Sequence, residues 1–283
     1  MHPQGQILWL NGRFVELEKA RLSPLDRGFL YGDGLFETMR AQKGSVLCLA
    51  AHLERLHRSL AELRISSPPR LNWQTVLREL LSRNGLLDDT ATVKIIVTRG
   101  PCAGPGLPPD AHPTVCILVQ RYVPPTPELY QKGWRLHVFR EGFSPPLASR
   151  KTLNYLYFLV ARQAAMDAGM DEALILDHHG RVAETSVGCL LARSHGRWWT
   201  PASPYQLSGV TVAAVSDLLH SEGAKVERRP CALEELLSAR TVWVLNSLML
   251  VMPVREIDGQ PVGDPAFLEA SRMRKSLVSR LPE

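Results

Sequence analysis

The chain has 283 residues, 45% of them hydrophobic and 22% charged, the proportions of an ordinary globular protein and not of a disordered, collagen-like or mucin-like chain. Its 33 Lys and Arg against 28 Asp and Glu give a net charge of +5. The excess lies in short mixed groups such as Glu227-Arg228-Arg229 and Arg272-Met273-Arg274-Lys275, which read as solvated faces and exclude a nucleic-acid groove.

The predicted elements begin with a hairpin, strands at 8 to 10 and 13 to 15 around Asn11-Gly12, because Asn-Gly between apolar runs favours a type I′ turn. Strands at 35 to 40 and 45 to 49 turn around Lys43-Gly44. A helix follows with Leu53, Leu56, Leu60 and Leu63 on one face, then another at 73 to 84. Strands at 91 to 98 and 113 to 121 flank a Pro/Gly-rich loop at 100 to 109, a length that is usually functional. The prolines of 123 to 127 read as a stiff linker, so the expectation is a small N-terminal α/β domain over 1–122, a linker over 123–128 and a larger C-terminal domain over 129–283.

Beyond the linker come a strand at 134 to 140 and an amphipathic helix at 152 to 168 that Gly169 ends. Short strands follow at 173 to 177, 181 to 185, 190 to 193 and 197 to 200. Helices at 211 to 222 and 232 to 239 flank a strand at 224 to 229, and a strand at 241 to 245 closes the pattern. The five cysteines, Cys48, Cys102, Cys116, Cys189 and Cys231, form no Cys-x-x-Cys pair, which argues against a disulfide framework or zinc ribbon and for a reducing cytoplasm. The first residues lack a secretory pattern, and the most apolar stretch, 242 to 254, is broken by Asn246 and Ser247, so neither secretion nor a membrane span is expected.

Phosphate-loop, hydrolase-elbow, metalloprotease and calcium-loop motifs are absent, and His178-His179 beside Asp177 reads as a solvated turn, so no metal is expected. Lys151 stands just before an amphipathic helix, where burial would favour the neutral amine that carbonyl chemistry through a Schiff base requires. Glu184 follows a turn and a short strand, 33 residues after that lysine. Leu207-Ser208-Gly209-Val210-Thr211 opens a helix whose free N–H groups and dipole suit an anion. A lysine, a carboxylate and a phosphate cradle are what pyridoxal phosphate needs from its protein.

With Asp26-Arg27-Gly28, the run from Tyr31 through Gly32-Asp33-Gly34 to Thr38, His52-Leu-Glu-Arg55, Lys151 to Tyr155 and Asp171 to Asp177, the chain resembles the fold type IV pyridoxal-phosphate enzymes over nearly its whole length. That resemblance implies a two-domain α/β (α+β) fold like that of the D-amino-acid aminotransferases, usually a homodimer; the scattered charge and the broken apolar stretch are the reasons to expect neither nucleic-acid nor membrane partners. The resemblance also implies Lys151 as the residue holding the cofactor and Glu184 facing its pyridine nitrogen. Arg55, Val210 and Thr211 would meet the phosphate, Leu207 the ring face and Tyr155 the ring hydroxyl, with Asn246 and Ser247 as further cofactor contacts.

Asn246-Ser247-Leu248 before Pro253-Val254 and Ile257-Asp258-Gly259 is similar to a segment of the aminodeoxychorismate lyases. The implied activity is cleavage of 4-amino-4-deoxychorismate to 4-aminobenzoate and pyruvate, with Thr38 as proton donor and Arg99 and Tyr31 on the substrate. The rivals are an aminotransferase of the branched-chain or D-amino-acid type and a cofactor-poor, non-catalytic homologue. Three departures bear on the phosphate loop: Cys189 where the family has asparagine, Ser208 for a usual proline, and Val212 for a frequent arginine.

Overall fold

The computed structural model describes residues 5–68, 71–108, 112–141 and 144–280; residue 109 of the expected loop lies outside them. The chain forms two compact units, one of residues up to Val123 with Arg150–Asn154, the other of Pro124–Ser149 with Tyr155–Arg280.

In the first unit, Ile7–Leu10 (β1) and Arg13–Glu16 (β2) pair as the expected hairpin, with Asn11 and Gly12 both at positive φ as the tight turn requires. A short helix, Arg27–Tyr31 (α1), is capped by the Asp26 carboxylate, which accepts from the Gly28 N–H. It ends at Gly32, whose φ of +66° is left-handed and where a Cβ would stand 2.8 Å from Asn154 Oδ1. Then come Gly34–Gln42 (β3), Ser45–Val46 (β4), Leu49–Glu62 (α2), Trp73–Arg83 (α3), Thr90–Thr98 (β5) and Thr114–Arg121 (β6). The strands make one antiparallel sheet ordered β2-β1-β6-β5-β3-β4.

Because successive side chains in a strand alternate between faces, Leu35, Met39, Val93, Ile95 and Val97 point into a core with Leu56 and Leu60 of α2 and Leu77, Leu80 and Leu81 of α3. Phe36 and Thr38 of β3 and Lys94 of β5 take the other face.

The second unit holds Pro127–Lys132 (α4), Trp134–Phe139 (β7), Leu156–Asp167 (α5), Glu172–Leu176 (β8), Val182–Thr185 (β9), Cys189–Ser194 (β10) and Arg197–Pro201 (β11). Val210–Ser221 (α6), Val226–Arg229 (β12), Leu233–Leu237 (α7), Thr241–Asn246 (β13), Leu250–Ile257 (β14), Gln260–Pro261 (β15) and Phe267–Val278 (α8) complete it. Its nine-stranded mixed sheet runs β12-β11-β10-β13-β14-β7-β8-β9, with β15 on β14. Leu136, Val138, Leu174, Leu190, Val242, Val244, Met252 and Val254 form its core.

Three expectations fail for identifiable reasons. The helix expected from residue 152 begins at Leu156, because Lys151 to Leu153 are drawn into backbone pairing: Phe36 N–H donates to the Lys151 carbonyl and Leu153 N–H to that of Gly34. Residues 127 to 128, read as linker, open α4, since proline suits the first helical position and Thr126 caps it. Beyond 245 the chain adds β14 and α8: Leu250–Ile257, nearly all buried, is an inner strand without polar alternation, which hides its period.

Candidate active site

In the first unit the amine of Lys151 lies 4.6 Å from the centroid of the Phe36 ring, and that of Lys94 lies 4.9 Å from the same centroid. Thr38 is two residues along β3 from Phe36, so it shares that face, and its cross-strand partner is Lys94. One aromatic ring therefore has two amines near it, on the sheet face that also carries Thr38 and lies opposite the α2 and α3 core. Lys151 and Thr38 were foreseen. Lys94 was not, because within the alternating run of β5 it reads as an ordinary outward residue.

Between Phe36 and Thr38, Glu37 points the opposite way and is buried under α2. Its Oε1 accepts from Arg55 Nε at 2.8 Å, and its Oε2 from Arg55 Nη2 at 2.6 Å and from His52 Nδ1 at 2.7 Å. Burial would raise the Glu37 pKa, but the hydrogen bonds of His52 and Arg55 and the arginine's charge hold it down at about 2. Burial also lowers the His52 pKa against the pull of Glu37, leaving that imidazole neutral near pH 7. Arg55, the expected phosphate ligand, is thus fixed side-on by a carboxylate.

Arg99 is a correction. A guanidinium has five N–H donors, and here all five are used within the unit. Nε and Nη2 bind Asp33 at 2.8 and 3.1 Å, Nη2 also the Leu63 carbonyl at 2.8 Å, and Nη1 the Arg64 and Pro108 carbonyls at 2.7 and 3.2 Å. With 1% exposure and no donor left, Arg99 is a clasp and not a substrate carboxylate clamp. Asp33 also accepts from Arg27 Nε at 2.7 Å, and Arg27 reaches the Gly104 and Gly106 carbonyls, so one carboxylate anchors two arginines that pin the 104 to 108 loop. Tyr31, expected on the substrate, ends α1 exposed, with the Arg27 guanidinium 5.0 Å from its ring centroid.

In the second unit Glu184 is buried on β9, paired with Ile175 of β8, and its Oε2 accepts from Leu207 N–H at 3.3 Å. The carbonyl of the same Leu207 accepts from the Cys189 thiol at 3.5 Å. Leu207 is therefore held at both ends. The departure at Cys189 has a structural account, for a Cβ on Gly209 would stand 2.6 Å from its sulfur. Cys189 and Gly209 together let the loop close on β10.

Gly209 is the N-cap of α6 and supplies no side-chain acceptor, while Val210 and Thr211 behind it are buried. A 12-residue helix thus begins with N–H donors that no capping side chain satisfies, the arrangement that receives an anion. Nothing in the structure explains the exchanges at Ser208 and Val212. The Tyr155 hydroxyl donates to the Ser186 carbonyl at 2.7 Å. Asn246 closes the turn after β13, its Oδ1 accepting from Leu248 and Met249 N–H at 3.0 and 2.9 Å, with half-buried Ser247 in that turn. Among the described residues, no group of three or more His, Cys, Asp or Glu could hold a metal ion, and no helix is long and apolar enough to cross a membrane.

The family model for amino-transferase class IV matches residues 34–257. The chain belongs to that family. It is 34% identical over 277 residues, 95% of its length and 93% of the relative's, to a Methanocaldococcus jannaschii protein provisionally assigned as a branched-chain-amino-acid aminotransferase. It is 32% identical over 256 residues, 89% of its length and 91% of the relative's, to the aminodeoxychorismate lyase of Vibrio harveyi. The structure of the T.th. branched-chain amino acid aminotransferase complexed with N-(5'-phosphopyridoxyl)-L-glutamate superposes with a TM-score of 0.86 at 27% identity, covering 98% of this chain and 94% of that one. Class IV relatives of different activity thus lie at nearly equal distance, and the reaction has to be argued from the site residues.

Proposed function

We propose that this class IV enzyme uses pyridoxal 5'-phosphate to cleave 4-amino-4-deoxychorismate into 4-aminobenzoate and pyruvate. The residues fit the cofactor. Lys151 would hold it, and Glu184, a buried carboxylate, suits a protonated pyridine nitrogen. The uncapped start of α6 at Val210 and Thr211 suits a phosphate, and Arg55 would be a further phosphate ligand. Leu207 would cover the ring, Tyr155 would meet its hydroxyl, and Asn246 and Ser247 would form a further contact. When bound, the cofactor supplies an electron sink.

The observation that carries the lyase reading is that Thr38 shares a strand face with Phe36, the ring over which the Lys151 amine lies. Lys151 Nζ, as a neutral amine, takes the proton from the ring carbon bearing the substrate nitrogen. Thr38 Oγ1 passes a proton to the departing enolpyruvyl group, a donor that transamination does not need. Lys94, with its amine on the same ring, holds a substrate carboxylate, the task that Arg99 has no donors left to perform. The two products together contain every atom of the substrate, so no co-reactant is required.

The test supplies 4-amino-4-deoxychorismate to protein loaded with cofactor and measures pyruvate and 4-aminobenzoate. Equimolar release supports the reading, and absence of both from protein that shows the cofactor's visible band refutes it. The second reading, an aminotransferase, is favoured by the 34% identical relative. It predicts amino transfer from single amino acids to a 2-oxo acid in the same preparation. A homodimer belongs to the proposal as well: Leu25 and Phe29, 66% and 78% exposed on and beside α1, are large apolar side chains that a second copy would cover. Sedimentation at micromolar concentration tests it.

A further inference from the structure

Tyr155 has one hydroxyl proton, and it points to the Ser186 carbonyl, a group that can only accept. The proton is therefore committed to Ser186, and the phenol oxygen turns lone pairs toward any further partner. Ser186 is held by the Ala173 carbonyl, which accepts from its N–H at 3.3 Å, and by the side chain of Glu172, the first residue of β8, which is 0% exposed. Its Oε1 accepts from Ser186 N–H at 3.1 Å, from Ala173 N–H at 2.8 Å and from the Ser186 hydroxyl. Its Oε2 pairs with Arg162 of α5. A carboxylate so fully engaged, holding one residue by both main chain and side chain, sets where that residue's carbonyl points.

We propose that Glu172 is a positioning residue that, through Ser186, keeps the Tyr155 proton on a main-chain carbonyl, so that Tyr155 meets the cofactor ring as an acceptor and favours the protonated ring hydroxyl. The inference rests on the placement of Tyr155 at the cofactor given above. The charged and titratable groups that face Tyr155 are Glu184 on β9, Glu172 on β8, Arg162 on α5 and Cys189 on β10; burial first, then the two carboxylates, raises its pKa, so it stays a neutral phenol through the working range.

The experiment is a pH titration of the visible absorption band of cofactor-loaded protein, with thermal unfolding followed alongside. Glu172→Asp withdraws the carboxylate from Ser186 by one methylene while keeping its charge. The Tyr155 proton is then free to turn to the ring oxygen and stabilise its ionised form, and the band's midpoint falls by about one pH unit, the worth of one net hydrogen bond. Glu172→Gln, which keeps an acceptor oxygen within reach of Ser186 and removes the charge, shifts it by less than half of that.

With Tyr155→Phe in place, Glu172→Asp has no further effect. A midpoint unmoved by Glu172→Asp, or one moved equally in the Tyr155→Phe background, overturns the proposal. If Tyr155→Phe by itself leaves the titration unchanged, the placement of Tyr155 fails and the inference falls with it. An effect of Tyr155→Phe without one of Glu172→Asp overturns the inference alone.

Discussion

Glu37→Gln is the most exacting test of the first unit's interior. The Glu37 carboxylate is 1% exposed and is held by two side chains that carry its pKa from an ordinary 4.5 to about 2. A depression of that size corresponds to about 3 kcal/mol of folding stability, at 1.36 kcal/mol per pH unit. Glutamine keeps the shape but leaves the buried Arg55 guanidinium without its counter-charge, a loss in the same range of about 3–5 kcal/mol. Urea unfolding at pH 7 is expected to show the variant less stable by about 3 kcal/mol, roughly a hundredfold in the equilibrium constant.

The pH dependence carries the sign. A carboxylate whose folded pKa is depressed contributes its full stability above the unfolded value near 4.5 and loses it as the pH falls toward about 2. The gap between native and variant proteins must therefore stay constant from pH 7 to about 5 and narrow below that. A gap under about 1 kcal/mol at pH 7, or one that persists unchanged to pH 3, would refute the argument.

Lys94→Met is expected to raise KM for a carboxylate substrate by about 10- to 100-fold with the cofactor spectrum unchanged, and Lys94→Arg to recover most of the loss; steady-state kinetics decides it. Gly209→Ala drives a Cβ to 2.6 Å from the Cys189 sulfur, so cofactor retention on dialysis should fall about tenfold. Adding Cys189→Ala should restore part of it, and a cycle with no such rescue would place the damage elsewhere. Asp33→Asn removes the charge shared by Arg27 and Arg99, whose hydrogen bonds and charges outweigh burial and set the Asp33 pKa below its ordinary value. Hydrogen exchange in the 104 to 108 loop should rise, with α3 unchanged.

The sequence by itself determined the family and the α/β fold class, and it singled out Lys151, Glu184 and Thr38 as candidates, because these depend on local patterns: alternating apolar runs, a glycine-bearing helix start, and ordered short motifs. The hairpin at Asn11-Gly12 and the helices on Leu56 and Leu77 were legible for the same reason. Tertiary structure decided what pairwise reach and burial decide. Arg99 read as a clamp and became a clasp once Asp33 and three carbonyls took its five donors. Lys94 became a candidate only when β3 and β5 paired and set its amine, like that of Lys151, within 4.9 Å of the Phe36 ring centroid. Glu172 stands in the Asp171 to Asp177 motif, but nothing in that run shows what its carboxylate holds. Its hold on Ser186 comes from β8 and β9 lying side by side, a register that no window of the sequence contains.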